Sequence, residues 1–374
     1  MAPIMKLPCE LIVGVFRELG NESLLSAILT CRHFYLSYKE YPSLPYQNLR
    51  RQVGSALLPY AAAVAEAPYL ASDQSSIDRL LNVLYNQPDN LASLLKQFPL
   101  TGLVEVGRTH DLVKDFADPF AQGAWNYLSP SCQEDVVLSS TEEFRLYRAF
   151  YRVELFFRLF RSDSSQLSDE LYETQVDSFF SRHPPWINEQ LGCVHDCLEE
   201  RFSRVLGDAL RHDIAMGNLS MNALGLLTNR PFIESGISQG MDFIHKLESA
   251  SSHEERLAML KPVFTACKAD LRGCLIMSCG SYTPVDVNLE DYSEEELEAL
   301  VPREDDEDID EGPFTAWEFM HSNLPSILWV LQEDFAFIRE CAYVFWGEAR
   351  IEEHQLLRYF EILSLEDDSD ADES

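Results

Sequence analysis

Apolar residues recur at intervals of three and four along almost the whole chain, and this spacing constrains the fold more than any other feature. Leu11, Val15 and Leu19 illustrate it. The repeat places apolar side chains on one face of a helix, whereas a half-buried strand would alternate them. Alternation over five or more residues is hard to find. The pattern predicts an all-α protein without a large sheet.

Local signals predict three short helices within the first 45 residues. Pro8 suits the first turn of a helix, where its missing N–H is not needed. Gly20 indicates the end of that helix. We expect a second helix that carries Leu24, and a third over residues 32–40. The third ends before Tyr41-Pro42, because a residue preceding proline avoids the helical region.

The remainder of the chain carries the same helical pattern, without a repeat of fixed period. We therefore expect a larger, irregular all-helical domain over residues 46–365. The predicted helices span residues 45–66, 75–86, 142–161, 170–181, 187–211, 220–229, 241–248, 253–268, 314–321 and 335–358.

Acidic residues are concentrated in two segments. Residues 289–312 hold 13 acidic residues and one basic residue, and residues 366–373 hold six acidic residues and no basic one. Like-charge runs of this kind are usually solvated and disordered, so we expect an acidic disordered linker and an acidic disordered tail over residues 366–374. The net charge of −33 disfavours a nucleic-acid partner, because binding to phosphates needs Lys and Arg.

Composition also bears on the compartment. No run of about 18 apolar residues is present, so we expect no membrane partner. The N-terminus lacks the pattern of a secretory signal. Nine cysteines without regular spacing argue against a disulfide framework. We expect a protein of the cytoplasm and/or the nucleus.

The run KLPCELIVGVFRELGNESLLSAILTCRHFYLSYKEYP resembles the F-box, whose pattern joins Leu-Pro-x-Glu-Leu to a Leu-Leu pair and a Cys-Arg-x-Phe end. Three later runs are similar to segments of uncharacterised fungal F-box-like proteins: PPWINEQLGCVHDCLEERF, EGPFTAWEFMH and AYVFWGEARIEE. The positions that match the F-box pattern are Leu7, Pro8, Glu10, Leu11, Ile12, Val15, Phe16, Leu19, Leu24, Leu25, Cys31, Arg32 and Phe34.

The resemblance implies a non-catalytic substrate adaptor of a Skp–cullin–F-box (SCF) ubiquitin ligase. The F-box, residues 1–45, would bind a Skp-type adaptor and through it a cullin, and the helical domain would bind an unknown protein substrate. A unit of about 40 residues buries too little core to be firmly stable alone, which favours a partner. The residues implied at the adaptor contact are Leu7, Pro8, Leu11, Ile12, Val15, Phe16, Leu24, Leu25 and Cys31.

Two alternative functions stay open. The chain would act with the Skp-type adaptor outside a ligase, or it would be an all-α enzyme or binding protein outside the ubiquitin system. In the second case the first helices belong to an ordinary all-α core.

Arg145, Arg148 and Arg152 fall on one face of the helix predicted over residues 142–161. Most such faces are simply solvated. Alternatively, the three arginines contact a substrate through an acidic or phosphorylated segment, since guanidinium pairs bidentately with carboxylate and phosphate. A third interpretation is that they hold the chain's own acidic linker.

Cys193, His195 and Cys197, with His183 upstream, invite a zinc hypothesis. On one helix the two cysteines share a face, while His195 points about 160° away. Zinc needs converging ligands, so we expect no metal here.

Residues 236–240 match the G-x-S-x-G motif of serine hydrolases. That motif works as a strand-to-helix turn, and its surroundings here are helical. We expect a turn that opens a helix at Met241, no catalytic residues and no cofactor.

Overall fold

Helices account for all regular secondary structure in the computed structural model over the residues that it describes, with no strand there. These residues are 7–70, 73–129, 135–161, 174–215, 230–265, 269–278, 310–321 and 336–360. The all-α prediction is confirmed over these ranges. None of the described helices is long and apolar enough to cross a bilayer. The chain divides into two compact units, Met1–Lys114 and Asp115–Ser374.

The first unit begins with the three short helices that the sequence predicted, within two residues of their expected ends. Its helices are α1 (Cys9–Glu18), α2 (Asn21–Thr30), α3 (Arg32–Lys39), α4 (Leu44–Val53), α5 (Leu58–Glu66), α6 (Gln74–Asn86) and α7 (Pro88–Leu94), followed by the start of α8 (Leu100–Leu128).

A small apolar core joins the first helices. It consists of Ile12, Phe16, Leu24, Ile28 and Leu44. The last of these belongs to α4, so the core extends beyond the three helices of the predicted F-box. A fourth helix covers apolar surface that three short helices would leave in water.

A buried amide holds α4 against the end of α1. Asn48 Nδ2 donates to the carbonyl oxygens of Phe16 and Leu19, at 2.9 Å each. Phe16 lies in the last turn of α1 and Leu19 is its C-cap residue, and carbonyls at a helix end lack the usual donor four residues on. The predicted domain boundary at residue 45 therefore differs from the observed division after Lys114.

The predicted helix over residues 45–66 is in fact two helices. Gly54 ends α4 with a φ of +82°, which glycine adopts without steric cost. Helix α5 starts at Leu58, with Pro59 in its first turn.

The second unit is built around one long helix. This helix, α10 (Pro185–Ala215), packs against most of the other helices of the unit. The unit comprises the rest of α8, then α9 (Ser140–Phe160), α10 (Pro185–Ala215), α11 (Arg230–Ile237), α12 (Met241–Ser249), α13 (His253–Leu260), α14 (Leu271–Ser278), α15 (Gly312–His321), α16 (Ala336–Glu340) and α17 (Glu348–His354).

A capping box starts α9. Ser139 Oγ accepts from the Glu142 N–H, and Glu142 Oε2 accepts from the Ser139 N–H. From Arg145 to Phe157 every residue of α9 is buried. A helix buried on all faces lies inside its domain and has no solvated side.

Some predictions for the second unit differ from the structure. The prediction of one helix over residues 335–358 is wrong for the described part, 336–358. Helices α16 and α17 are separated there by a turn that contains Ala342 at φ +51°, and a further helical stretch begins at residue 356. Helix α8 was not predicted from the sequence in either half. The predicted helix 220–229, residues 289–309 of the acidic linker and the tail 366–374 lie outside the described residues.

Candidate functional site

The residues implied at the adaptor contact divide into an interior and a surface group. Ile12, Phe16 and Leu24 are buried in the unit's own core. They have no surface left for a partner in this conformation, and that part of the expectation is corrected. Their apolar character, which the F-box pattern shares, is explained by core packing.

The surface group lies on α1. Leu11 is 57% exposed and Val15 is 46% exposed, and an interval of four residues places them on one face of the helix. Pro8 is also exposed, and Leu7 and Leu25 are half-buried. Cys31 is half-buried as well, and its Sγ accepts the Phe34 N–H at 3.5 Å as the cap of α3.

Three further apolar side chains of these helices are exposed and were not singled out from the sequence. Leu29 on α2 is 77% exposed, and Tyr35 and Leu36 on α3 are both exposed to more than 40%. Single exposed apolar residues are common on protein surfaces, whereas a contiguous apolar patch is typical of an interaction site.

The three arginines of α9 are buried, which contradicts the solvated face that the sequence suggested. Arg148 Nη2 donates to Gln190 Oε1 at 3.2 Å, and Arg152 Nη1 donates to the Ile187 carbonyl at 3.1 Å. Both tie α9 to α10. Substrate contact by Arg145, Arg148 and Arg152 is therefore corrected, since their guanidinium groups bind the protein itself.

Arg145 contacts the end of the acidic linker. Its Nη2 lies 2.9 Å from Asp310 Oδ2, and its Nη1 donates to the Phe345 carbonyl at 3.2 Å. Asp310 Oδ1 also accepts the backbone N–H groups of Gly312 and Glu348. Burial alone would raise the pKa of Asp310, but these donors and Arg145 lower it. The linker interpretation is thus confirmed for Asp310.

The zinc set of the sequence does not assemble. Within the described residues, one group of three potential ligands lies within 4.8 Å, and it consists of His195, Asp196 and Glu199. Neither Cys193 nor Cys197 belongs to it. Burial raises the pKa of the Cys197 thiol to about 12, which keeps that thiol protonated and inert.

His195 is the centre of a buried ionic network. Its Nε2 lies 3.1 Å from both carboxylate oxygens of Glu234, and its Nδ1 lies 3.2 Å from Asp196 Oδ1. Arg339 extends the network, with Nε 2.7 Å from Glu189 Oε1 and Nη1 3.1 Å from Asp196 Oδ2. The network connects α10, α11 and α16.

Charge balance in this network argues against a metal ion. Burial opposes the charged form of His195, but Glu234 and Asp196 outweigh it and raise the pKa to about 10. Burial alone would raise the pKa of Asp196, yet Arg339 and His195 lower it to about 2. Imidazolium has no lone pair for a metal, so these residues fit an ion-paired link between helices.

Gly192 makes room for this network. A Cβ at that position would lie 2.8 Å from the guanidinium carbon of Arg339. The absence of a side chain lets the guanidinium lie directly against the backbone of α10. Glu189 can then accept both Nε and Nη2 of Arg339 from the preceding turn.

The G-x-S-x-G motif forms the predicted turn before a helix. Ser238 is fully buried, and its Oγ donates to the Ser235 carbonyl at 3.1 Å. Gly240 adopts φ +90° and directly precedes α12. A nucleophile would need an exposed hydroxyl at a strand-to-helix turn, so this serine is structural.

A cleft of about 560 Å³ lies between the later part of α8 and α10. Phe120, Gly123 and Tyr127 line the α8 side, and Asp196 and Glu200 line the α10 side. The cleft was not predicted from the sequence, because its α8 side was not recognised as a helix. The alternation of aromatic and small residues at helical spacing over residues 116–127 was the available signal.

Comparisons of this chain with models of known protein families, with curated proteins and with solved structures found no match.

Proposed function

We propose that the chain is a substrate-recruiting adaptor of an SCF-type ubiquitin ligase. The F-box helices α1 to α3 would bind a Skp-type adaptor, and through it a cullin, in the cytoplasm or nucleus. The second unit would hold the target protein. The observation that carries the proposal is the pair of exposed apolar residues on α1, Leu11 and Val15, within the F-box-like run.

Exposed apolar side chains support docking for an energetic reason. Burying a leucine side chain stabilises a complex by about 1.5–3 kcal/mol, so a few such contacts amount to a substantial part of a binding free energy. An apolar face on a short helix is what a groove between partner helices accepts.

No catalytic step is assigned to the chain. An adaptor accelerates transfer by holding the target close to the ubiquitin-bearing enzyme, which raises effective concentration. The buried ionic network suits that role, because it fixes α10, α11 and α16 as a firm support for a binding surface.

Co-purification with a Skp-type adaptor tests the proposal. The full chain is expected to bind stoichiometrically, and Leu11→Asp and Val15→Asp are expected to abolish binding. Tyr69→Asp is the matched control, since Tyr69 is 82% exposed in the same unit but outside α1 to α3. Stable wild-type chain that purifies without adaptor, or equal loss in the control, would contradict the proposal.

Cullin association separates the two adaptor functions. Recovery of cullin with the adaptor supports a ligase, whereas adaptor without cullin supports a complex outside the ligase. If neither the adaptor nor cullin is recovered, the result would favour an all-α binding protein of another kind.

A further inference from the structure

The cleft between α8 and α10 has two chemically different sides. On the α8 side, Phe120 and Tyr127 present aromatic rings, and Tyr127 is 48% exposed. On the other side stand carboxylates of α10 and α16, namely Asp196, Glu200 and Glu340. A ligand that fits has an apolar stem and a positively charged end.

The cleft already holds one guanidinium of its own. Arg201 stacks over the Phe116 ring, with its guanidinium carbon 3.7 Å from the ring centroid. Its Nε donates to Glu248 Oε1 at 2.9 Å, and its Nη2 donates to the other oxygen of the same carboxylate. An aromatic face with a bidentate carboxylate is a strong arrangement for arginine. One end of the cleft is therefore filled by an arginine in this geometry.

The rest of the lining holds one carboxylate without a cation of its own. Glu340 has no ion pair among the described residues. Burial raises the pKa of Glu340, and the nearby carboxylates of Glu200 and Asp196 raise it further. Asp196 is neutralised by Arg339, and Glu200 by Arg204 at 2.9 Å. The exposed Glu340 is thus the carboxylate of the cleft that a bound cation would neutralise.

We propose that the cleft binds an arginine or lysine side chain of a partner protein, with the cation at Glu340 and the stem against Tyr127 and Phe120. The inference rests on the proposed function, because such a side chain would be a recognition feature of the target. Charge selects it. The cleft is lined by four carboxylates and two guanidinium groups, and both guanidinium groups are already paired.

Gly123 gives a direct test of occupancy. It lines the cleft, is exposed, and a Cβ there meets nothing within 4 Å. Gly123→Leu is expected to fill the cleft without disturbing the fold, while Gly123→Ala leaves it open. Glu340→Gln removes the charge and keeps the shape. Glu353→Gln, at an exposed site outside the cleft, controls for the loss of one negative charge.

The probe is a library of nine-residue peptides with uncharged flanks and a fixed central residue, either arginine or its neutral isostere citrulline. The immobilised full chain is expected to enrich the arginine pool over the citrulline pool about ten-fold or more. Gly123→Leu and Glu340→Gln are expected to lose the enrichment, and Gly123→Ala and Glu353→Gln to keep it.

Equal enrichment of both pools would overturn the inference by showing that charge does not select the peptide. Full enrichment in Gly123→Leu would overturn it by assigning binding to a surface outside the cleft, such as the acidic segments. The readout is independent of the adaptor. Leu11→Asp is expected to retain the enrichment, so failure of the adaptor proposal and failure of the cleft proposal are distinguishable.

Discussion

Arg145 and Asp310, which are 165 residues apart in the chain, form an ion pair of 2.9 Å in which the arginine side chain is fully buried. The pair joins α9 to the residues that lead into α15. Because the arginine also donates to the Phe345 carbonyl, three separate stretches of chain meet at one guanidinium.

Asp310→Asn is expected to lower the free energy of unfolding by about 3 kcal/mol, because it leaves a buried guanidinium without its counter-charge. Urea denaturation measures this change. Glu311→Gln, at the exposed neighbouring residue, is expected to change stability by less than about 0.5 kcal/mol. Equal effects of the two substitutions would show that Arg145 does not depend on this pair.

His195 gives the stability of the second unit a pH dependence of known sign. Its pKa is about 10 in the folded chain and about 6.5 in the unfolded chain. Its contribution is complete below pH 6.5 and is lost as pH rises through 10. We expect the melting temperature to fall between pH 7 and pH 10, and to fall less steeply in His195→Gln.

The contribution of Asp196 to stability changes with pH in the opposite direction to that of His195. Its folded pKa of about 2 lies below the unfolded value, so its contribution is present above about pH 4 and is lost as pH falls towards 2.

His245→Gln, at a half-buried site outside the network, is the control for His195→Gln and should leave the fall in melting temperature between pH 7 and pH 10 unchanged. An unchanged slope in His195→Gln would mean that the imidazole is neutral.

Leu24 and Leu11 separate folding from binding in the first unit. Leu24→Ala is expected to destabilise α1 to α3 by about 2–5 kcal/mol, since Leu24 is fully buried. Leu11→Ala, at an exposed site, is expected to leave stability nearly unchanged. Amide hydrogen exchange in α1 to α3 measures the change in stability for both substitutions. Faster exchange in Leu11→Ala would place that residue in the core.

Two glycines predict opposite responses to alanine. A Cβ at Gly236 would overlap the Phe202 ring, so Gly236→Ala is expected to destabilise by about 1–3 kcal/mol. Gly123→Ala adds a methyl group in open space within α8 and is expected to stabilise by about 0.5–1 kcal/mol. Thermal unfolding measures the stability change of each variant and so distinguishes the two responses. A stabilising Gly236→Ala would show that the ring moves freely.

Local signals explain which helices could be predicted. Pro8 and Gly20 delimit α1, and apolar spacing located α9 and α10 closely. Helix α8 was missed because Gly102, Gly107 and Pro119 interrupt its pattern, although tertiary packing keeps it helical.

The candidate sites were harder to predict, because burial depends on the whole fold. The spacing of Arg145, Arg148 and Arg152 shows that they share a face, but not whether water or protein lies against it. The aromatic residues between them were the signal for an interior helix. The pairing of His195 with Glu234 depends on α11 and has no counterpart in local spacing.

The contact between Gly192 and Arg339 restricts the order in which this sequence can change. Any side chain at position 192 collides with the guanidinium, and loss of the guanidinium alone leaves Glu189 buried without its partner. Single substitutions at positions 189, 192 and 339 are therefore each unfavourable. A variant with Gly192→Ala becomes accessible only through a lineage in which Arg339 and Glu189 have first become neutral together.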